Sequence, residues 1–240
     1  MLNIFVTGTD TDIGKTFITA GLAATMQSLG YSTCVYKPVQ CGTPEKIGFR
    51  QSPDLAFVKN VDPYVKTYSS YLLKEPATPA IAAELENITI DKDVIKKDFQ
   101  NLSQDYDCTI VEGSGGIMVP IAPNFLILDM IKMLNLPIVI VIRPDLGTVN
   151  HTLLTINQAI SSGINVRGVI INNFPEHTKN IAIKTTPRLI EEYSDAKILG
   201  IVKHFNNVQK LNPNDLITNI LNGIDIESVF DVKISKLDVD

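Results

Sequence analysis

The segment of this chain best suited to chemistry is Gly8-Thr9-Asp10-Thr11-Asp12-Ile13-Gly14-Lys15-Thr16. It follows an apolar run and opens a helical pattern. Successive backbone N–H groups at such a junction, with the positive end of the helix, make an anion cradle. Lys15 can reach the outer phosphates of a nucleotide, and the Thr16 hydroxyl suits Mg²⁺. Five residues, Thr9 to Ile13, separate the two glycines. The standard loop has four, so a modified phosphate loop is expected.

A nucleotide site also needs carboxylates and charge-neutralising groups. Glu112 ends an apolar run and precedes Gly113-Ser114-Gly115-Gly116, which reads as a ligand-facing strand tip. The plainer alternative is a solvated acid. Asp54 in Pro53-Asp54-Leu55 reads on residue type as a first-turn helix charge, with metal binding as the alternative. Lys37, before Pro38, is either a group that neutralises a reacting anion or an ordinary surface lysine. Gly147-Thr148-Val149-Asn150 reads as a helix cap whose free amides could also take a carboxylate.

These residues must be positioned by regular elements. Apolar runs near 3–7, 33–37, 108–112, 137–142, 167–172 and 197–202 do not alternate, so both faces of each strand should be covered. Helical patterns lie near 15–29, 91–104, 125–134, 149–162 and 181–193. Strand–helix alternation predicts an α/β fold: a single domain with a mostly parallel central sheet covered by helices on both faces. The stretch 40–53, with Gly42, Pro44, Gly48 and Pro53, is expected to be a loop. Thr78 is expected to cap a helix that has Pro79 in its first turn. Beyond Gly223 the weak alternation Ile224, Ile226, Val229, Phe230, Val232, Ile234 reads as an edge strand or a frayed end.

Composition narrows the partners. The 240 residues carry a net charge of −5, which argues against gripping nucleic acid or an anionic membrane. Charged residues at 20% and hydrophobic ones at 45% are ordinary globular values, so extended disorder is not expected. Three cysteines, Cys34, Cys41 and Cys108, suggest a reducing interior and no disulfide framework. The opening run has no basic n-region, and the longest apolar run, Ile138–Ile142, is too short for a membrane span. A cytoplasmic protein is the expectation.

Several segments together resemble the dethiobiotin synthetase family of phosphate-loop NTPases. They are the phosphate loop with its five-residue spacer, Tyr36-Lys37-Pro38-Val39, Asp54, Glu75-Pro76-Ala77-Thr78-Pro79, Val111-Glu112-Gly113-Ser114-Gly115-Gly116, Leu146-Gly147-Thr148-Val149-Asn150-His151 and Asn172. The resemblance implies a domain over 1–222, with 223–240 a tail outside it. It implies ATP-dependent carboxylation of 7,8-diaminopelargonic acid by CO₂ and closure of a cyclic urea, through a carbamate and a carbamic-phosphoric anhydride. Lys15, Lys37 and Thr11 would be catalytic. Asp12, Ile13, Gly14, Lys15, Thr16 and Phe17 would bind ATP, with Asn172 on the adenine edge. Thr11, Lys37, Cys41, Thr78, Gly115, Gly147, Thr148 and Asn150 would bind the diamine. Thr16, Asp54 and Glu112 would hold Mg²⁺. A homodimer sharing its sites across the interface is implied as well. Three positions depart from the family pattern. Cys41 stands in place of a hydroxyl residue, Ala80 in place of a histidine, and Lys203-His204 in place of a proline-containing adenine loop. The competing reading is a nucleotide switch of the septum-site or partition type, which would carry a second lysine within Thr9–Asp12; none occurs there.

Overall fold

A computed structural model describes residues 1–46, 49–205 and 212–234. The first half runs β1 (Leu2–Gly8), α1 (Lys15–Ser28), β2 (Thr33–Tyr36), β3 (Val39–Gln40), β4 (Glu45–Lys46), β5 (Phe49–Arg50), α2 (Pro53–Val61), β6 (Lys66–Tyr68), β7 (Tyr71–Leu72), α3 (Pro79–Leu85) and α4 (Lys92–Asp105). The second half runs β8 (Cys108–Gly116), β9 (Pro120–Ala122), β10 (Phe125–Leu126), α5 (Ile127–Leu134), β11 (Ile138–Ile142), α6 (Thr148–Ser161), β12 (Val166–Phe174), α7 (Ile181–Tyr193), β13 (Ile198–Lys203), α8 (Pro213–Gly223) and α9 (Ile226–Phe230).

Seven strands form the central sheet in the order β13-β12-β11-β1-β8-β2-β6. Every pairing in it is parallel. The period-2 geometry of a strand sends successive side chains to opposite faces. Ile138, Ile140 and Ile142 of β11 enter one apolar cluster, with α3 to α7. Val139 and Val141 enter the other, with α1, α2, α8 and α9. Both faces are therefore covered, as the unbroken apolar runs predicted.

β1 sits mid-sheet between β8 and β11. The loop after β1, the Glu112 stretch of β8 and the end of β2 thus emerge side by side at the carboxyl edge, where open parallel sheets place their ligands.

Three expectations are corrected. The helix expected over 125–134 starts at Ile127, because Leu126 is extended and its N–H donates to Asp129 Oδ2 at 2.9 Å. Phe125–Leu126 instead pairs with β9. The stretch 40–53 is not bare loop: β3 pairs with β7, and β4 with β5. Over the described residues after Gly223, a single antiparallel bridge from Ile224 to Gly200 is followed by a short helix, not by a strand. Asp225 accepts from the Ser228 N–H at 3.0 Å and starts α9. Ile226, Val229 and Phe230, spaced one, four and five along, are all buried. That spacing is helical, and it was hidden inside the weak alternation. The acidic stretch 235–240 lies outside the described residues. No helix among those described is long and apolar enough to cross a membrane.

Candidate active site

The phosphate loop is built as its residue types require. Asp12 and Gly14 both have positive φ, 53° and 91°. Gly14 tolerates this because it lacks a Cβ. Between them Ile13 is buried, and its Cδ1 lies where a Cβ on Gly8 would have to go, 2.1 Å away. Gly14 is the N-cap of α1, so the first amides of that helix are free for an anion. Lys15 folds back and donates from Nζ to the Asp10 carbonyl at 2.6 Å. Burial, with Lys37 close by, pushes its pKa down to about 8.

Three distant segments meet at Lys37. Its Nζ lies 2.7 Å from Asp54 Oδ2 and 2.8 Å from Glu112 Oε1. It also donates to the Gly113 carbonyl at 3.1 Å. Lys37 is only 4% exposed and Glu112 only 1%. Burial alone would discharge the lysine, but Glu112 and Asp54 outweigh burial and hold its pKa above the usual value. Burial likewise opposes the Asp54 charge, and Lys37 overrides it, so Asp54 sits below the ordinary carboxylate range. Two cations, Lys15 and Lys37, thus face two carboxylates before any ligand arrives. Removing one member would leave a buried charge uncompensated.

Asp54 answers to both sequence readings. It is in the first turn of α2 and also ion-paired. Thr16 Oγ1 donates to Glu112 Oε1 at 2.8 Å. Glu112 Oε2 is buried and has no hydrogen-bond partner. An orphaned carboxylate oxygen beside a hydroxyl and a second carboxylate fits a hard cation that takes few protein oxygens. Thr16, Asp54 and Glu112 are therefore a suitable donor set for Mg²⁺.

These groups line a cleft of about 810 Å³, together with Thr11, Asp12, Gly14, Phe17, Cys41, Thr78 and Gly115. Thr78 is the N-cap residue of α3 as predicted, but its hydroxyl makes no capping bond. Burial pushes the Cys41 thiol up to about 11, so it stays protonated and able to donate at neutral pH. Ile13 lies beneath the loop and does not line the cleft, and neither do Gly147, Thr148, Asn150 and Asn172. Gly147 begins α6 as an N-cap with φ of 91°. Asn172, near the end of β12, donates from Nδ2 to the Ile13 carbonyl at 3.0 Å.

Sequence reasoning passed over three supports of this cleft. Ser52 donates to Gln40 Oε1 at 2.6 Å and also accepts from the Leu55 N–H, fixing the start of α2 that carries Asp54. The Ser52-Pro53 pair, a cap residue followed by proline at the first helical position, was the legible signal. Ser114 Oγ donates to the Val39 carbonyl at 2.7 Å and ties β8 to the segment after Lys37. Phe205 packs on Phe17 with ring centroids 5.3 Å apart, and Phe57 lies 6.3 Å from Phe17 on the cleft wall.

Comparison with known proteins bears directly on this cleft. A family model described as an AAA domain matches residues 2–212. An ATP-dependent dethiobiotin synthetase of Methanocaldococcus jannaschii is 42% identical over 204 residues, spanning 83% of this chain and 93% of that relative. The chain belongs to the dethiobiotin synthetase family. A second member, from Bacillus subtilis strain 168, is 36% identical over 213 residues, spanning 88% of this chain and 90% of its own length. Among solved structures, a MinC:MinD cell-division complex of Aquifex aeolicus overlays with a TM-score of 0.60 at 15% identity, covering 95% of this chain and 94% of that one. MinD with Mg-ADP from Pyrococcus horikoshii gives 0.59 at 11%, covering 95% and 92%. Those two likenesses establish a shared fold and nothing finer. As a dethiobiotin synthetase family member, the protein is an ATP-dependent ligase.

In such an ATP-binding site the shift on Lys15 has a measurable sign. The free lysine has a pKa of about 8. Bound phosphates favour its charged form and raise that value. Binding therefore takes up a proton above about pH 8 and none well below it, so affinity falls as pH rises through 8. The dissociation constant for MgADP should be flat up to about pH 7.5 and rise severalfold by about pH 9. Lys15→Arg, which cannot discharge, should flatten the profile. Calorimetry over pH 7–9 checks this, and a constant affinity in the parent protein would refute it.

Proposed function

We propose that the protein makes dethiobiotin from 7,8-diaminopelargonic acid, CO₂ and ATP. One amine captures CO₂ as a carbamate. A carbamate oxygen attacks the γ-phosphorus, ADP leaves, and a carbamic-phosphoric anhydride forms. The second amine then attacks the anhydride carbonyl, closes the cyclic urea and expels phosphate. The observation that carries this reading is the buried Lys37 ammonium, held between Asp54 and Glu112 in the same cleft as the phosphate loop.

The chemistry demands that arrangement. Carbamate and γ-phosphate are both anions, and their repulsion grows in a site that excludes water. Lys37 is placed to screen them as they meet, and Lys15 with the first amides of α1 takes charge on the transferring group. Thr11 hydrogen-bonds the reacting groups. Thr78 and the Gly115 backbone position the diamine, with the Cys41 thiol as a weak donor beside it. Asp12, Ile13 and Phe17 complete the nucleotide contacts, Ile13 through its backbone, and Asn172 is assigned to the adenine edge. Thr16, Asp54 and Glu112 would hold Mg²⁺, which would supply positive charge against the nucleotide phosphates. The catalytic unit is assigned to residues 1–222, and α9 beyond it packs into the same apolar cluster as α1.

Phosphate release from pure protein with ATP, Mg²⁺ and bicarbonate tests the reaction. The diamine should stimulate it strongly. Release indifferent to the diamine would overturn this reading and leave a nucleotide switch, the competing reading of the sequence.

A homodimer with shared sites is part of the proposal. Residues 147–150 are outside the cleft of their own chain. Leu146 is 90% exposed, and Leu154 and Ile160 of α6 are exposed too, apolar surface that a second copy would cover. The α6 start of the partner subunit would then bind the far carboxylate of the diamine. Inactive Lys37→Ala and Asn150→Ala proteins, mixed and allowed to exchange subunits, should recover up to about a quarter of parent activity, the share of random pairing that restores one intact site per dimer. No recovery after proven exchange would count against sharing.

A further inference from the structure

The longer spacer of the phosphate loop raises a mechanical question. Asp10, Thr11 and Asp12 are exposed, and beyond the Lys15 bond to the Asp10 carbonyl the buried anchor of the loop is Ile13. That residue sits between two left-handed positions, Asp12 and Gly14. Its side chain is packed over Gly8, which fixes where it lies but not how its peptide is turned. Asn172 supplies the turn. Its Nδ2 donates to the Ile13 carbonyl at 3.0 Å, and the residue is only 7% exposed. A Cβ on Gly14 would sit 2.0 Å from that same nitrogen, so the carboxamide is fitted against the bare glycine.

A trans peptide is planar, with its C=O and N–H pointing in opposite directions. Holding the Ile13 carbonyl on Asn172 therefore aims the Gly14 N–H away from Asn172. Gly14 lines the cleft. We propose that Asn172 is a positioning residue for the phosphates: by pinning the Ile13 carbonyl it sets the direction of the Gly14 amide and the entry into α1, whatever it does at the base. This rests on the phosphate-site reading above and adds a role that reading does not assign.

The test separates phosphate from base with a ligand that has no base. Binding of Mg-tripolyphosphate and of MgADP is measured for the parent, Asn172→Ala and Asn172→Leu. Leucine keeps roughly the volume but cannot donate. Both variants should bind both ligands about 3- to 10-fold more weakly, the size expected for one lost buried hydrogen bond, with thermal midpoints lowered by no more than about 4 °C. Weakened MgADP with unchanged tripolyphosphate would overturn the proposal and leave Asn172 as a base reader only. Parent-like tripolyphosphate binding by Asn172→Leu would also overturn it, by showing that bulk suffices. A thermal midpoint that falls in step with affinity would do so too, reducing Asn172 to a general structural role. Should Asn172→Ala fail to fold, Asn172→Ser, too short to reach the Ile13 carbonyl, carries the same comparison. A parent that binds neither ligand would refute the phosphate site itself, a failure distinct from these.

Discussion

Lys37→Ala should lower turnover at least about 10²-fold, the usual loss when one preorganised charge-stabilising group is removed. Nucleotide affinity should change far less, because the β/γ-phosphates are assigned to Lys15 and the α1 amides. The Lys37 ammonium is held by Asp54, Glu112 and the Gly113 carbonyl at 2.7, 2.8 and 3.1 Å. No water-exposed lysine could be fixed in this way, and alanine leaves nothing in its place. Diamine-dependent phosphate release and MgADP calorimetry measure the two quantities separately. A second effect follows from the same contacts. Without Lys37, two carboxylates are left without their cation, at a cost on the order of 3 kcal/mol for breaking a buried pair. Added Mg²⁺ should therefore raise the thermal midpoint of Lys37→Ala more than that of the parent. Turnover equal to the parent would remove Lys37 from the mechanism.

Glu112→Gln should raise the Mg²⁺ concentration needed for half-maximal activity at least about tenfold, as expected when a group fixing the metal is altered. Glutamine keeps the shape and can still accept from Thr16 and Lys37, so the fold is retained. What it loses is negative charge and the orphaned oxygen, Glu112 Oε2. Lys37 would then be balanced by Asp54 alone. Turnover at saturating Mg²⁺ should also drop, by about 10²-fold if the metal's placement governs charge on the transferring phosphoryl group. Magnesium titrations of activity, with thermal midpoints as a control for folding, decide it. An unchanged midpoint in the titration would show that Glu112 does not hold the metal.

The phosphate loop was legible in the sequence because all its parts are contiguous, from Gly8 to Thr16. The parallel sheet was legible because runs such as Ile138–Ile142 are apolar at every position, which only a strand covered on both faces requires. The charged cluster was not legible from composition or spacing. Lys37, Asp54 and Glu112 come from three separate segments, and on residue type each had an ordinary surface reading. Their grouping was anticipated only through family resemblance. The bond from Asn172 to the Ile13 carbonyl is invisible to local reasoning for the same cause, since it joins residues 159 positions apart. The short segment after Gly223 failed differently. Its apolar residues satisfy period two at Ile224 and Ile226 and helical spacing from Ile226 to Phe230, and a run of that length cannot distinguish them.

The central place of β1 has a consequence for how the chain is made. β1 leaves the ribosome well before both of its partners, Cys108–Gly116 on one side and Ile138–Ile142 on the other. At roughly 5–20 residues per second, its second partner emerges on the order of ten seconds later. Asn172 follows later still. Until then the run from Leu2 to Gly8 has both edges unpaired, and the phosphate loop has no carbonyl acceptor from Val141 for Thr9 and no clamp on Ile13. The residues that will hold nucleotide are thus synthesised early and completed late. During that interval an apolar strand open on both sides is the part of the nascent chain most exposed to mispairing and most in need of chaperone cover.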